Sequence, residues 1–184
     1  MTDITAPSFR LRAARAAEAS AANPAAGAKP DPRLVTVVEL LFFAYRDFTG
    51  EADAVLEEIG LGRAHHRVLH FVYRNPGLRV ADLLGILKIT KQSLARVLKQ
   101  LVDNGHVVQS MGERDRRERR LALTDKGTAL ARRLIALQTA RVAHALTSAG
   151  PEAEILTRDF LFAMVGVGDR DGVAALVQDA EFTT

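Results

Sequence analysis

Apolar residues recur at three- and four-residue intervals along most of the chain, and short extended runs interrupt this rhythm in one central stretch. From Asp31-Pro32 onward, Leu34, Val37, Val38, Leu41, Phe42, Tyr45 and Phe48 follow the helical period. The pattern predicts a long amphipathic helix with Asp31 as its cap and Pro32 in its first turn. Val35, Phe43 and Ala44 widen the apolar surface beyond one stripe. Such a helix is expected to meet more than one neighbour, a second copy of the chain being one candidate.

The stretch from Leu61 to Thr124 has a different order of signals. A helix is predicted over Arg63–Tyr73 with Val68, Leu69 and Val72 inward, ended by Asn75-Pro76-Gly77. Leu78-Arg79-Val80 reads as extended, residues 81–87 as a short helix and Lys88-Ile89 as a tight turn. Thr90 then caps a further helix that reaches Asn104-Gly105, where Gly105 supplies a left-handed stop. Two short helices joined by so few residues predict a helix-turn-helix. Residues 106–110 and 120–123 have strand character and flank a charged loop, so a β-hairpin is expected.

Thr124 is expected to cap a long helix through Leu130, Leu134, Leu137 and Ala140 towards Leu146, ended by Gly150-Pro151. A second helix over Glu152–Val165 is apolar nearly all round, which is hard to satisfy in a monomer of this size. Gly166, Gly168 and Gly172 break the pattern before a last short segment, Val173–Val177. The expected fold is mostly α with a small β-wing (α+β). Its organisation is an N-terminal arm over 1–30, mobile or partly helical, a dimerisation helix over 31–60, a winged helix-turn-helix over 61–124, and dimerisation helices over 125–184.

Composition narrows the function classes. The 184 residues contain no Cys, which removes disulfides, thiolate metal sites and thiol switches. No apolar run is long enough for a membrane span and the first residues lack a secretory core, so a soluble, cytoplasmic protein is expected. The net charge of +3 conceals a division. Residues 61–124 carry 13 Lys and Arg against 5 Asp and Glu, a net of +8, and the remainder nets −5. A basic module in an acidic frame suits a region that releases counterions from a phosphate backbone.

The helix begun by Thr90 carries that chemistry. Leu94, Val97, Leu98 and Leu101 share its inward face, Gln92, Arg96 and Lys99 the opposite one, and Lys91 and Ser93 flank its start. Gln pairs with adenine and Arg with guanine in a major groove, while Lys and Ser reach phosphates. The plainer reading is an ordinary solvated face. The following loop, residues 111–119, holds Arg114, Arg116, Arg117 and Arg119 among three acids, and a basic hairpin beside a reading helix can reach phosphates or an adjacent minor groove. Double-stranded DNA is therefore the expected partner.

These residues resemble the MarR family of bacterial winged-helix regulators. The resemblance rests on Asp115, Arg117, Leu121, Leu123 and Thr124, continued by Asp125-Lys126-Gly127, and on the run Ile89–Leu98; it covers roughly residues 33–165. One departure is Leu61-Gly62-Arg63-Ala64-His65 where many members have Leu-Thr-x-x-Gln. The resemblance implies a homodimeric transcriptional regulator, a repressor, on a pseudo-palindromic operator. It also implies that Asp115 orients the wing through an ion pair with a nearby Arg, and that Arg117 lies nearest the DNA. A small aromatic or anionic effector is implied where the first two helices meet the frame, with Phe42, Tyr45, Arg46, His66 and His70 as candidate contacts, each of which also suits a core.

Two alternatives stand beside this reading: a non-specific architectural DNA binder, and a metal-responsive regulator using His65, His66 and His70. The spacing of His66 and His70 suits a shared helix face, but no Cys or nearby carboxylate completes a site, so no metal and no cofactor are expected. Catalysis has little support: the chain has no nucleophile elbow, phosphate-cradling glycine loop or HExxH, and it is not expected to be an enzyme.

Overall fold

A computed structural model describes residues 29–112 and 118–178. These fall into two compact units, residues 36–143 and residues 29–35 with 144–178. The helix α1 (Pro32–Glu57) is followed by α2 (Arg63–Arg74), β1 (Leu78–Arg79), α3 (Val80–Leu87) and α4 (Lys91–Asp103). A hairpin of β2 (Val107–Met111) and β3 (Arg119–Leu123) leads into α5 (Asp125–Ala149), α6 (Ala153–Ala163), a 3-10 turn (Val167–Asp169) and α7 (Arg170–Gln178). The three strands form one antiparallel sheet in the order β1-β3-β2, with Leu78 opposite Leu121 and Val107 opposite Leu123. This is the mostly helical fold with a small β-wing that the periodicities predict.

The core of the 36–143 unit is a leucine cluster drawn from every element around it. Leu56 of α1, Leu69 of α2, Leu83 of α3, Leu94 and Leu101 of α4, Leu121 of β3 and Leu134 of α5 are all fully buried. Burying each such side chain contributes about 1.5–3 kcal/mol. Because α4 and the wing both anchor in this cluster, the surface opposite each is held at a fixed angle to the other.

The caps follow the sequence closely. The Arg33 N–H donates to Asp31 Oδ1 at 2.9 Å, and the Ser93 N–H to Thr90 Oγ1 at 3.1 Å. Gly77 and Gly105 take positive φ, 83° and 69°, where each helix stops. In the 29–35/144–178 unit, the Arg170 guanidinium donates to Ala163 O at 2.9 Å and Val165 O at 3.0 Å, closing the carbonyl end of α6.

The first helix runs to Glu57, within the 31–60 expected of it. Gly50 does not stop it, because Thr49, Ala52, Val55 and Leu56 beyond the visible stripe are the residues it buries. The stripe that defines α1 in the sequence is largely exposed in the single chain: Phe42 is 70% exposed and Tyr45 56%. The strands sit one residue from their expected starts, at Val107 and Arg119. The final helix begins at Arg170 and contains Gly172, since a glycine costs only about 1 kcal/mol and does not halt a helix already nucleated by the preceding turn. The arm expected over 1–30 lies, apart from Lys29 and Pro30, outside the described residues.

Candidate nucleic-acid interface

The turn between α3 and α4 is built from one left-handed residue and one cap. Lys88 adopts φ 50°, its N–H closing α3 on Leu84 O at 3.0 Å, and Thr90 returns the chain to extended backbone before α4. The Thr90 hydroxyl donates to Ser93 Oγ at 2.9 Å while accepting the Ser93 N–H, so both hydroxyls serve the helix start. Leu94, Val97, Leu98 and Leu101 are buried, which leaves Lys91, Gln92, Ser93, Arg96 and Lys99 exposed on the opposite face, as the periodicity requires. Lys99 is paired with Asp103 one turn on, at 2.5 Å. Exposed pairs of this kind contribute little and are readily exchanged.

Beside α4, the sheet offers the second basic surface. Arg119 at the base of the wing borders the same cleft of about 740 Å³ as Lys91 and Lys99, over a floor of Leu84, Leu94, Leu98 and Val102. The structure thus brings helix and wing cations to one rim. Arg114, Asp115, Arg116 and Arg117 lie outside the described residues.

The wing base carries an ion network absent from the sequence expectations. Arg79 forms a two-bond fork with Asp82, at 2.6 and 2.7 Å, and reaches Glu118 at 3.3 Å. Glu118 also accepts from Arg120 at 3.2 Å. Both carboxylates raise the Arg79 pKa further above its ordinary value, Asp82 more than Glu118.

Two sets of polar contacts fix α4 against its surroundings. The Gly62 N–H donates to His65 Nδ1 at 3.1 Å, His65 Nε2 lies 2.9 Å from Gln100 Oε1, and Gln100 Nε2 donates to Gly60 O at 3.0 Å. With Nδ1 accepting, Nε2 carries the proton and donates to Gln100. Just past the same end of α4, Thr124 Oγ1 accepts the Gly127 N–H at 3.0 Å and donates to Gly105 O at 2.7 Å, stitching α5 to the α4–β2 turn.

A separate cavity of about 440 Å³ brings together Tyr45, His66 and His70 of the expected effector contacts. Phe48, Phe71, Arg63, Arg67 and Gln138 complete its walls with Thr49. Phe42 and Arg46 are not among its lining; Arg46 pairs with Asp47 at 2.7 Å and stacks over Phe43. Burial pushes both histidines below the usual pKa; for His66 the Asp53 charge and Gln138 oppose the shift, and for His70 the neighbouring His66 and Arg74 reinforce it. The neutral imidazoles therefore dominate at pH 7, and the cationic groups of the cavity are Arg63 and Arg67. Arg63 is held by Asp53 at 2.6 Å. Arg67 Nη2 donates to Leu87 O at 3.1 Å, so one guanidinium touches both the cavity and the last carbonyl of α3. His65 does not join His66 and His70, both its ring nitrogens being engaged elsewhere, and the described residues contain no group of three or more metal-ligating side chains.

A sequence model of the MarR family matches residues 59–118. The chain is 47% identical over 135 residues to the HTH-type transcriptional regulator PetP of Rhodobacter capsulatus, a span of 73% of this chain and 81% of that protein. The chain belongs to the MarR family. A second relative, HTH-type transcriptional repressor Mb2911 of Mycobacterium bovis, is 32% identical over 96 residues, covering 52% of this chain and 69% of its own length. Among solved structures, the S. aureus MepR–DNA complex matches with a TM-score of 0.58 at 18% identity over 70% of this chain and 95% of that one. The crystal structure of MarR matches with a TM-score of 0.58 at 18% identity, over 84% and 100%. These neighbours establish the winged-helix fold.

As a MarR-family member the chain is a DNA-binding transcriptional regulator and not an enzyme. No described helix is long and apolar enough to cross a membrane. At Leu61-Gly62-Arg63-Ala64-His65, the side chain of His65 turns back to the Gly62 N–H, the contact a Gln or Glu at that position makes in a capping box. Sequence reasoning missed Arg79, Asp82 and Glu118 at the wing base and Arg67 at the cavity. The i,i+3 spacing of Arg79 and Asp82 was the one local signal; Arg67 and Glu118 reach partners 20 and 39 residues away, which no local pattern reveals.

Proposed function

We propose that this regulator binds a pseudo-palindromic operator as a homodimer and represses transcription from it, in the cytoplasm. The observation that carries the reading is the shared rim of Lys91, Lys99 and Arg119, with Gln92 and Arg96 exposed on the same helix. Groups that bind phosphate surround groups suited to base edges. The dimer is supported by apolar side chains left in water: Leu40, Phe42 and Phe43 on α1, and Ile155, Leu156, Phe160 and Leu161 on α6. A second copy covers such surfaces at low cost. The frame assigned to residues 31–60 and 125–184 supplies them, and 61–124 supplies the DNA-binding module. Repression follows the name of the M. bovis relative. Light scattering at micromolar concentration is expected to return twice the 20.0 kDa chain mass. Footprinting on genomic fragments is expected to protect two half-sites about 34–36 Å apart. A monomer, or equal protection of random fragments as from an architectural binder, would refute the scheme.

The cavity behind α2 supports an effector reading. Its aromatic walls and two guanidinium groups suit a small aromatic carboxylate, and Arg67 links it to α3. An anion that recruits this guanidinium alters the Leu87 contact, giving the differential affinity that coupling requires. Benzoate at saturation is expected to weaken operator binding by about 5- to 150-fold. Arg67→Gln is expected to bind operator normally and lose most of that response in fluorescence anisotropy; an undiminished response would remove Arg67 from the coupling.

A further inference from the structure

The wing base places two like charges side by side. Arg79 of β1 and Arg120 of β3 are register partners in the sheet, so both side chains leave the same face. Like charges directly opposite on a sheet destabilise it. Glu118 resolves the conflict by placing one carboxylate oxygen on each guanidinium, Oε1 3.3 Å from Arg79 Nη1 and Oε2 3.2 Å from Arg120 Nη2.

These two contacts differ from the fork that Arg79 makes with Asp82. The Asp82 bonds are short and bidentate, at 2.6 and 2.7 Å. Those of Glu118 are single and longer than the usual 2.7–2.9 Å for charge-assisted pairs. Both arginine side chains remain nearly half exposed, so a solvent-borne anion can reach them. A carboxylate with one oxygen on each of two guanidinium groups has the geometry of a phosphodiester with its two free oxygens. Arg79 is also the cap of α3, the first helix of the helix-turn-helix, and that helix crosses the DNA backbone in this motif.

We propose that Arg79 and Arg120 form a binding site for a DNA backbone phosphate, which Glu118 occupies in the absence of DNA. The inference rests on the DNA-binding reading above. Glu118 then acts as a mask. A phosphate must displace it, which lowers affinity for DNA of any sequence and leaves discrimination to the contacts made only on an operator.

The test is the salt dependence of binding by the full-length protein to a random 30-base-pair duplex, read by fluorescence anisotropy. Glu118→Gln is expected to bind random DNA about 3- to 10-fold more tightly at low salt, with the slope of log K against log salt steeper by about one per subunit. Adding Arg120→Gln to that variant should return the slope to the wild-type value. Weaker binding at an unchanged slope would make Glu118 a strut of the wing and overturn the proposal, as would no change at all. If the wild-type protein itself fails to bind duplex DNA, the DNA-binding reading falls and this inference with it. A wild type that binds beside an inert Glu118→Gln variant refutes the mask alone.

Discussion

Gly127→Ala is expected to lower the melting temperature by about 5–15 °C, equivalent to roughly 2–4 kcal/mol for a chain of this size. A Cβ at position 127 would stand 2.0 Å from the carbonyl oxygen of His106 and 2.9 Å from its carbonyl carbon. No rotamer relieves a collision with backbone. Nor can His106 retreat, since its side chain is buried and its carbonyl accepts the Thr124 N–H at 3.1 Å. The same carbonyl opens β2, so displacing it moves the wing away from α4. Circular dichroism melts should therefore fall together with operator affinity, even though residue 127 lies outside the proposed reading surface. Gly168→Ala is the control: its Cβ meets nothing within 4 Å. A melt for Gly127→Ala within 2 °C of wild type, on the order of 1 kcal/mol, would mean that the α5–β2 junction yields easily and does not help hold the wing against α4.

The difference between Gly127 and Glu118 illustrates what a sequence discloses. Gly127 follows Leu123-Thr124-Asp125-Lys126, and the cap geometry that brings its N–H to Thr124 is local, so the motif could be read without coordinates. The same holds for the two helices and turn between Val80 and Asp103, where periodicity, Thr90 and Gly105 all concur. Glu118 was only one acid in a basic loop; its role depends on the pairing of β1 with β3, across about forty residues. Arg67 likewise shows nothing in its own neighbourhood, because Leu87 O is brought to it by the packing of α2 on α3. The α1 stripe discloses its period but not its partner. Periodicity finds an apolar face but does not say whether the chain's own core or another surface covers it, and Phe42 and Val38 remain in water here.

The effector candidates divide along the same line. Tyr45, His66 and His70 meet in one cavity because α1 and α2 present them to Gln138 of α5. Arg46, expected among the effector contacts, is turned to Asp47 instead. The cationic residues of the cavity are instead Arg63 and Arg67, on the same helix as the histidines that burial keeps neutral. α2 thus carries cavity residues and also His65, whose ring is bonded to Gln100 of α4.

Arg96→Ala is expected to reduce operator affinity by about 1–3 kcal/mol, roughly 5- to 150-fold, while leaving random-DNA affinity nearly unchanged. Gln92 and Arg96 stand one turn apart on the exposed face of α4, in its N-terminal half, the half of a recognition helix that approaches base edges. Arg offers a planar fork that pairs with guanine, and alanine leaves those acceptors unmatched. Lys99 is the weaker candidate for a base contact, since its ammonium is a point charge without the planar fork of Arg. Lys91→Ala supplies the contrast: a phosphate contact at the helix start, its loss should weaken binding to operator and random duplex alike and lower the salt slope by about one. Anisotropy titrations of both variants on both duplexes at several salt concentrations separate the roles. If Arg96→Ala weakens the two duplexes equally, Arg96 is a backbone contact and specificity lies elsewhere on α4 or in the wing. If neither variant changes binding, the exposed face of α4 is not the DNA surface.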